Sequence, residues 1–239
     1  MKKIKLAIAI GAFCFGLAGA QQATAAVLYW DDFNVGTSAV PGGIALAGLT
    51  GVGATDQTDF NTKLAAGGWD AVLFGEQNGF VFSASSAALS TWVAGGGKLI
   101  GTTWQAGGLG TLLEGISVST NGTTITTDAD PIFAGLGATI SLTNPGWGVF
   151  SRGWTPTGGA SCLGSLSSGG CAVIMGNGGN SYLNGPLNDT YLPASDGERL
   201  IANQLLQLTG THQVPEPASL ALLGIGLAGL AAKRRRKTV

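Results

Sequence analysis

Histidine is almost absent from this chain: there is one among 239 residues, His212, and it follows the last amphipathic segment. Serine–histidine–aspartate triads, cysteine–histidine pairs and most zinc sites need an imidazole held at hydrogen-bond or ligand distance, so none of these is expected inside the folded part. Cysteine is nearly as scarce, with Cys14, Cys162 and Cys171 making the full set. Cations are few where a partner would meet them. Residues 26–214 hold Lys63, Lys98, Arg152 and Arg199 against twelve acidic residues, a net of about −8 that the whole-chain value of −1 conceals. Nucleic acid is therefore not an expected partner, because its binding needs clustered cations to displace counterions. The 41 glycines follow no collagen-like period, and no repeat of 20–50 residues is present. Gly107-Gly108 and Gly176-Asn177-Gly178-Gly179-Asn180 lack the lysine and the spacing of a phosphate loop.

What the chain does have is concentrated at its ends. Met1-Lys2-Lys3-Ile4-Lys5 is a positive start, residues 6–18 are apolar, and Ala23-Thr24-Ala25 is a small-x-small cleavage site, the three parts of a secretory signal peptide. Cleavage after Ala25, or alternatively after Ala20, removes Cys14. Cys162 and Cys171 then enter an oxidising compartment with eight residues rich in Gly and Ser between them, a setting that favours a local disulfide. A pair of free or metal-binding thiols is the competing reading, and no second cysteine pair or nearby histidine supports it.

The other end runs Val214-Pro215-Glu216-Pro217-Ala218-Ser219, then an apolar segment from 220 to 232, then Lys233-Arg234-Arg235-Arg236-Lys237. Proline keeps the start out of helix, the apolar run can enter a bilayer, and the cations hold the end on the cytoplasmic side. As helix, residues 218–232 span about 22 Å against a hydrocarbon core of about 30 Å, a gap that snorkelling by Lys233 and Arg234 can close. This order resembles the PEP-CTERM sorting signal of exosortase substrates, with Pro215, Glu216 and Pro217 matching the tripeptide and Lys233, Arg234, Arg235 and Arg236 the membrane stop. The resemblance covers about a tenth of the chain. It implies passage through the inner membrane of a bacterium, transient anchoring there, processing by exosortase, and a final place at the cell surface or in the extracellular matrix.

Between the ends, residues 26–208 fit one α/β domain, with 209–213 a linker, 1–25 the leader and 214–239 the sorting tail. Strands are expected at 27–30, 52–55, 71–74 and 98–102, the third almost wholly apolar as befits a buried parallel strand. Asp56 or Thr58 caps a helix through Ala66 that carries Phe60 and Leu64 on one face. Ser85 or Ser86 opens another, with Leu89, Trp92 and Val93, ended by Gly95-Gly96-Gly97. Such βα units predict an open, mainly parallel, flavodoxin-like sheet with helices on both faces. Further on, residues 116–120 and 123–126 flank Asn121-Gly122 and read as a hairpin. A helical turn at 130–136, strands around Ile140 and Val149, a strand at 171–175 and a closing helix from Ser195 complete the antiparallel additions. Leu200, Ile201, Leu205 and Leu208 give the closing helix its apolar face.

This order resembles the class I glutamine amidotransferase-like superfamily over residues 27–209. Asp130-Pro131-Ile132-Phe133-Ala134-Gly135-Leu136 is similar to a His-Pro-Ile-x-x-Gly-Leu element, with aspartate in place of histidine, and Gly197-Glu198-Arg199-Leu200-Ile201-Ala202-Asn203 is similar to the closing helix. Active members carry a nucleophilic cysteine on a turn after a central strand and a histidine near the domain end. Here that turn is Gly101-Thr102-Thr103-Trp104-Gln105, without cysteine, and no catalytic residue, metal site or cofactor is assigned.

Chemistry without histidine is still available. Asp31, Asp32, Asp56 and Glu76 fall at the C-terminal ends of expected strands, where open α/β sheets bind ligands. Two such carboxylates can act as acid and base on a glycoside or hold calcium, while helix and turn capping is the other reading of the same residues. Thr102 or Thr103 would need a base to serve as nucleophile, and none is visible. Asp31, Asp32, Glu76, Thr103 and Trp104 are the candidate ligand-binding set. Tyr29, Trp30, Phe80, Phe82, Trp104, Trp147, Trp154, Tyr182 and Tyr191 fall in expected loops or strand ends, often next to Gly, Asn or Asp, where flat rings can meet sugar faces. The expectation is a non-catalytic interaction module for exopolysaccharide, with exosortase and the secretion machinery as processing partners. The alternative is a carbohydrate-active hydrolase using Asp31 or Asp32 with Glu76.

Overall fold

The computed structural model describes residues 25–32, 35–78, 81–143, 146 and 148–210. The expected leader up to residue 24, the sorting tail, most of its linker, Phe80, Trp147 and His212 lie outside the described residues. The first half alternates strand and helix: β1 Ala26–Asp31, α1 Ala39–Leu46, β2 Thr50–Gly53, α2 Gln57–Ala66, β3 Ala71–Glu76, α3 Val81–Ala94, β4 Leu99–Thr103 and α4 Leu109–Leu112. There follow β5 Gly115–Thr120, β6 Thr124–Thr126, β7 Thr139–Leu142, β8 Arg152–Pro156, β9 Ser161–Leu166, β10 Cys171–Gly176, β11 Ser181–Asn184, β12 Tyr191–Leu192 and α5 Ala194–Thr209.

Every residue of β3 and β4 is buried, and successive side chains leave the sheet on opposite faces. Val27, Leu73 and Ile100 join one apolar cluster with Val40 and Ile44 of α1 and Leu200, Ile201 and Leu205 of α5. Leu28, Val72, Phe74 and Leu99 join a second, with Phe60 and Leu64 of α2, Leu89 of α3 and Leu109 of α4. The alternation places α1 and α5 on one face and α2, α3 and α4 on the other. Asp56 caps α2 as expected, its Oδ1 accepting from Asp59 N at 2.8 Å.

In order across the sheet, β2, β1, β3, β4 and β11 are parallel neighbours. Beyond β11 the pairing turns antiparallel through β10, β9, β6, β7 and β12, and β10 also meets β8, which carries β5. The expected mainly parallel sheet is thus corrected to a mixed one. The parallel block ends at β11, and the antiparallel block is the larger. The hairpin expected around Asn121-Gly122 is also corrected. β5 pairs with β8, and β6 with β7 and β9. The type I′ turn that Asn-Gly favours needs positive φ at both central residues; Asn121 has it at 58°, but Gly122 does not, and Asn121 N donates to Ser151 O instead. Val149 is not in a strand, since β8 begins at Arg152.

Cys162 and Cys171 are joined in a disulfide that clips β9 to β10, with Cα atoms 5.4 Å apart. Among the described residues, no helix is long and apolar enough to cross a membrane.

Candidate functional site

The C-terminal ends of β1, β3 and β4 lie side by side, with Asp31 opposite Gly75 and Glu76 opposite Thr103. All five candidate residues therefore reach one edge of the sheet. The pleat divides them between its two faces.

On the α1–α5 side, Asp31, Gly75 and Thr102 form a row across three strands. Asn188, 5% exposed on the segment between β11 and β12, spans that row: Thr102 Oγ1 donates to its Oδ1 at 3.0 Å, and its Nδ2 donates to Asp31 Oδ1 at 2.9 Å. The bridge needs glycine beneath it. A Cβ on Gly75 would lie 2.1 Å from Asp31 Oδ1 and 3.1 Å from Asn188 Nδ2. Ser38, the N-cap of α1, donates to Asp31 Oδ2 while its Oγ accepts from Val40 N at 3.1 Å. Both oxygens of Asp31 are thus engaged, and this acidic residue orients the first helix and the β11–β12 segment.

On the α3 side stands Glu76, 4% exposed. Its Oε2 accepts from Thr103 Oγ1 at 3.0 Å and its Oε1 from Phe82 N at 3.3 Å. Burial raises its pKa above the ordinary value; the two hydrogen bonds oppose the shift and the charge of Asp32 adds to it. Asp32, just past β1, accepts from Asn78 N at 2.6 Å. Thr103 Oγ1 also accepts from Gln105 N at 2.9 Å, so its hydroxyl is held by the turn that follows β4. The Trp104 indole N–H donates to Gln77 O, its ring packs 4.8 Å from that of Phe150, and its carbonyl accepts from Arg152 Nε. Asp31 and Glu76 leave the sheet on opposite faces, whereas Asp32 and Glu76 feel each other's charge.

Sequence reasoning missed Ser38, Gln77, Asn188 and Asp189. The last, 6% exposed, accepts from Val35 N at 2.7 Å and Gln77 Nε2 at 3.2 Å through Oδ2, and its buried Oδ1 has no partner. Gly-Pro-Leu-Asn-Asp-Thr reads as an ordinary turn, so nothing in the local pattern marks Asn188 or Asp189. Of the aromatic candidates, Trp154, Tyr182 and Tyr191 are core residues at 0%, 1% and 6% exposure, which corrects their reading as sugar platforms. Among the described residues, no three His, Cys, Asp or Glu are grouped to hold a metal ion.

Comparison with known proteins bears on the two parts of the chain separately. Residues 213–236 match the PEP-CTERM protein-sorting motif. A search of curated proteins found no sequence match. Among solved structures, the fold is similar to a protein assigned as a GMP synthase component from Thermoplasma acidophilum, with a TM-score of 0.55, 10% identity, and 82% of this chain and 100% of that one covered. It is equally similar to a glutamine amidotransferase from Thermotoga maritima, with a TM-score of 0.55, 6% identity, and coverage of 80% and 100%. A carbohydrate deacetylase matches with a TM-score of 0.50 and 12% identity over 78% of this chain and 32% of its own length. These likenesses establish an amidotransferase-like fold, and the motif establishes a sorting signal that implies export and exosortase processing.

Proposed function

We propose that this protein is an exosortase-sorted component of the cell surface or matrix whose α/β domain binds exopolysaccharide without turning it over. The leader at 1–25, removed on export, and the tail from 214 bracket the working domain at 26–208. The observation that carries the non-catalytic part is the state of the strand ends. Where an amidotransferase-like fold would keep its nucleophile, Thr103 donates a hydrogen bond to Glu76 and accepts one from Gln105 N, and Asp31 is bound by Ser38 and Asn188. The sorting half is tested by changing Pro215→Ala together with Glu216→Ala: the expected product is an unprocessed, membrane-retained form, and normal release refutes it. The binding half is tested by glycan retention together with absence of turnover on ester, amide and glycoside panels.

One observation favours a second reading. Burial raises the pKa of Glu76 and the charge of Asp32 adds to the shift, and such a pair of carboxylates is what a glycosidase uses as acid and base. A carbohydrate-active hydrolase on this pair would lose its turnover with Glu76→Gln. Turnover that survives Glu76→Gln removes this reading.

A further inference from the structure

Trp69 and Trp92, absent from the candidate residues drawn from sequence, share a groove at the other end of the parallel strands. It lies between the end of α2, the turn into β3, the C-terminal half of α3 and the Gly95-Gly96-Gly97 turn into β4, with a volume of ≈ 810 Å³. Both indoles are half-buried, and both N–H groups are already used: Trp69 Nε1 donates to Lys63 O at 2.8 Å and Trp92 Nε1 to Lys98 O at 3.1 Å. Each ring is held by its edge, so the part of it that lines the groove carries no free donor. Gly97 fixes Trp92 further, since a Cβ there would stand 2.3 Å from the ring.

Polar groups complete the lining. Asp70 is exposed, and its Oδ2 accepts from Ala26 N at 2.7 Å. Thr91 Oγ1 donates to Ala87 O at 2.9 Å, which leaves its lone pairs as acceptors. Among the lining side chains Lys98 brings donors and the one positive charge and Asp70 the one negative charge, so their charges sum to about zero. The domain's net of about −8 repels polyanions. A purely apolar ligand has no use for the charged pair. A neutral sugar fits both features, presenting C–H faces to indoles and hydroxyls to acceptors and donors.

We propose that this groove binds a neutral glycan, with Trp69 and Trp92 stacking on pyranose rings and Asp70, Thr91 and Lys98 engaging the hydroxyls. The proposal rests on the reading of the domain as a polysaccharide-binding module and gives that module its site, away from the strand-end carboxylates. The test uses the full chain in lipid nanodiscs, titrated with neutral gluco-, manno- and xylo-oligosaccharides and followed by tryptophan fluorescence and calorimetry. At least one should bind saturably. Trp69→Ala and Trp92→Ala should each weaken it about tenfold, the scale of one aromatic contact. Ala87→Phe, which fills the groove from an exposed position and leaves both indoles in place, should abolish binding, and Ile116→Ser on the exposed face of β5 should not change it. Melting curves show which variants are folded, and Ala87→Phe decides the matter if a tryptophan variant is not. Binding that survives Ala87→Phe overturns the groove and leaves the binding module standing. Failure of the unaltered chain to bind any glycan overturns both. Saturable binding of a fatty acid in place of glycan, lost in Ala87→Phe, assigns the groove to an apolar ligand and overturns the proposal.

Discussion

Reducing the Cys162–Cys171 disulfide should destabilise the domain by an amount its position fixes. The bridge closes a sequence separation of 9. In the chain-entropy account, a cross-link over a loop of about ten residues removes enough freedom from the unfolded chain to contribute about 2.7 kcal/mol at 25 °C. A domain of about 185 residues unfolds with an entropy of about 0.39 kcal/mol/K, so the melting temperature should fall by about 7 °C. Replacement adds a separate effect. Cys171 is 6% exposed among Leu28, Trp154 and Leu183, and serine there would bury an unpaired hydroxyl at a cost of about 1–3 kcal/mol. Alanine at both positions is the cleaner change. Melting curves of oxidised protein, reduced protein and the Cys162→Ala/Cys171→Ala variant should show the last two close together and well below the first. Equal melting temperatures for oxidised and reduced protein would refute the entropic reasoning, and two free thiols in exported protein would refute the bridge itself.

Glu76→Gln tests the buried carboxyl by its pH dependence. Because the folded-state pKa is raised, the native state holds a proton that the unfolded state releases, so wild-type stability is fullest below the ordinary value of 4.5 and declines as pH rises through the folded pKa. The melting-temperature difference in favour of Glu76→Gln should therefore grow from acid toward neutral pH; a difference independent of pH would sink this assignment. Gly75→Ala should displace Asp31 from Ser38 and Asn188 and cost about 2–3 kcal/mol, the scale of hydrogen bonds to a charged group, as measured by denaturant titration. A cost below about 0.5 kcal/mol, the range of ordinary surface changes, would show that the bridge does not hold the edge. Asp56→Ala removes the N-cap of α2 and should cost about 1 kcal/mol. No change in melting temperature would mean that water replaces the cap at no cost.

The parallel half was legible because local signals and tertiary environment agree there. The apolar run at 71–74, Phe60 and Leu64 four apart, and the apolar face of α5 each name their partner layer, and all three are buried as read. Helix α1 was illegible. Pro41-Gly42-Gly43 has the composition of a turn, yet Pro41 stands in the first turn, where its missing N–H costs nothing, and Gly43 lets the helix approach Ile201 of α5. The middle failed for another reason. Asn-Gly is a two-residue signal, and whether the chain reverses there depends on partners about 30 residues away in β8 and about 20 away in β7, which no window around Asn121 contains. At the strand ends, the carboxylates were legible as a group because they follow apolar runs. Their partners Ser38 and Asn188 were not, because a buried polar bridge over Gly75 leaves no periodicity in sequence.

The two ends of the parallel strands differ in a way that bears on function. At the C-terminal edge, both oxygens of Asp31 and both of Glu76 already accept hydrogen bonds, and Thr103 both donates and accepts. A ligand there would share the remaining lone pairs of these carboxylates with contacts that hold α1, α3 and the β11–β12 segment in place. At the N-terminal end, the requirement is the reverse. The indoles of Trp69 and Trp92 are fixed through their edges and line an open groove, and recognition of a sugar needs only that they stay fixed.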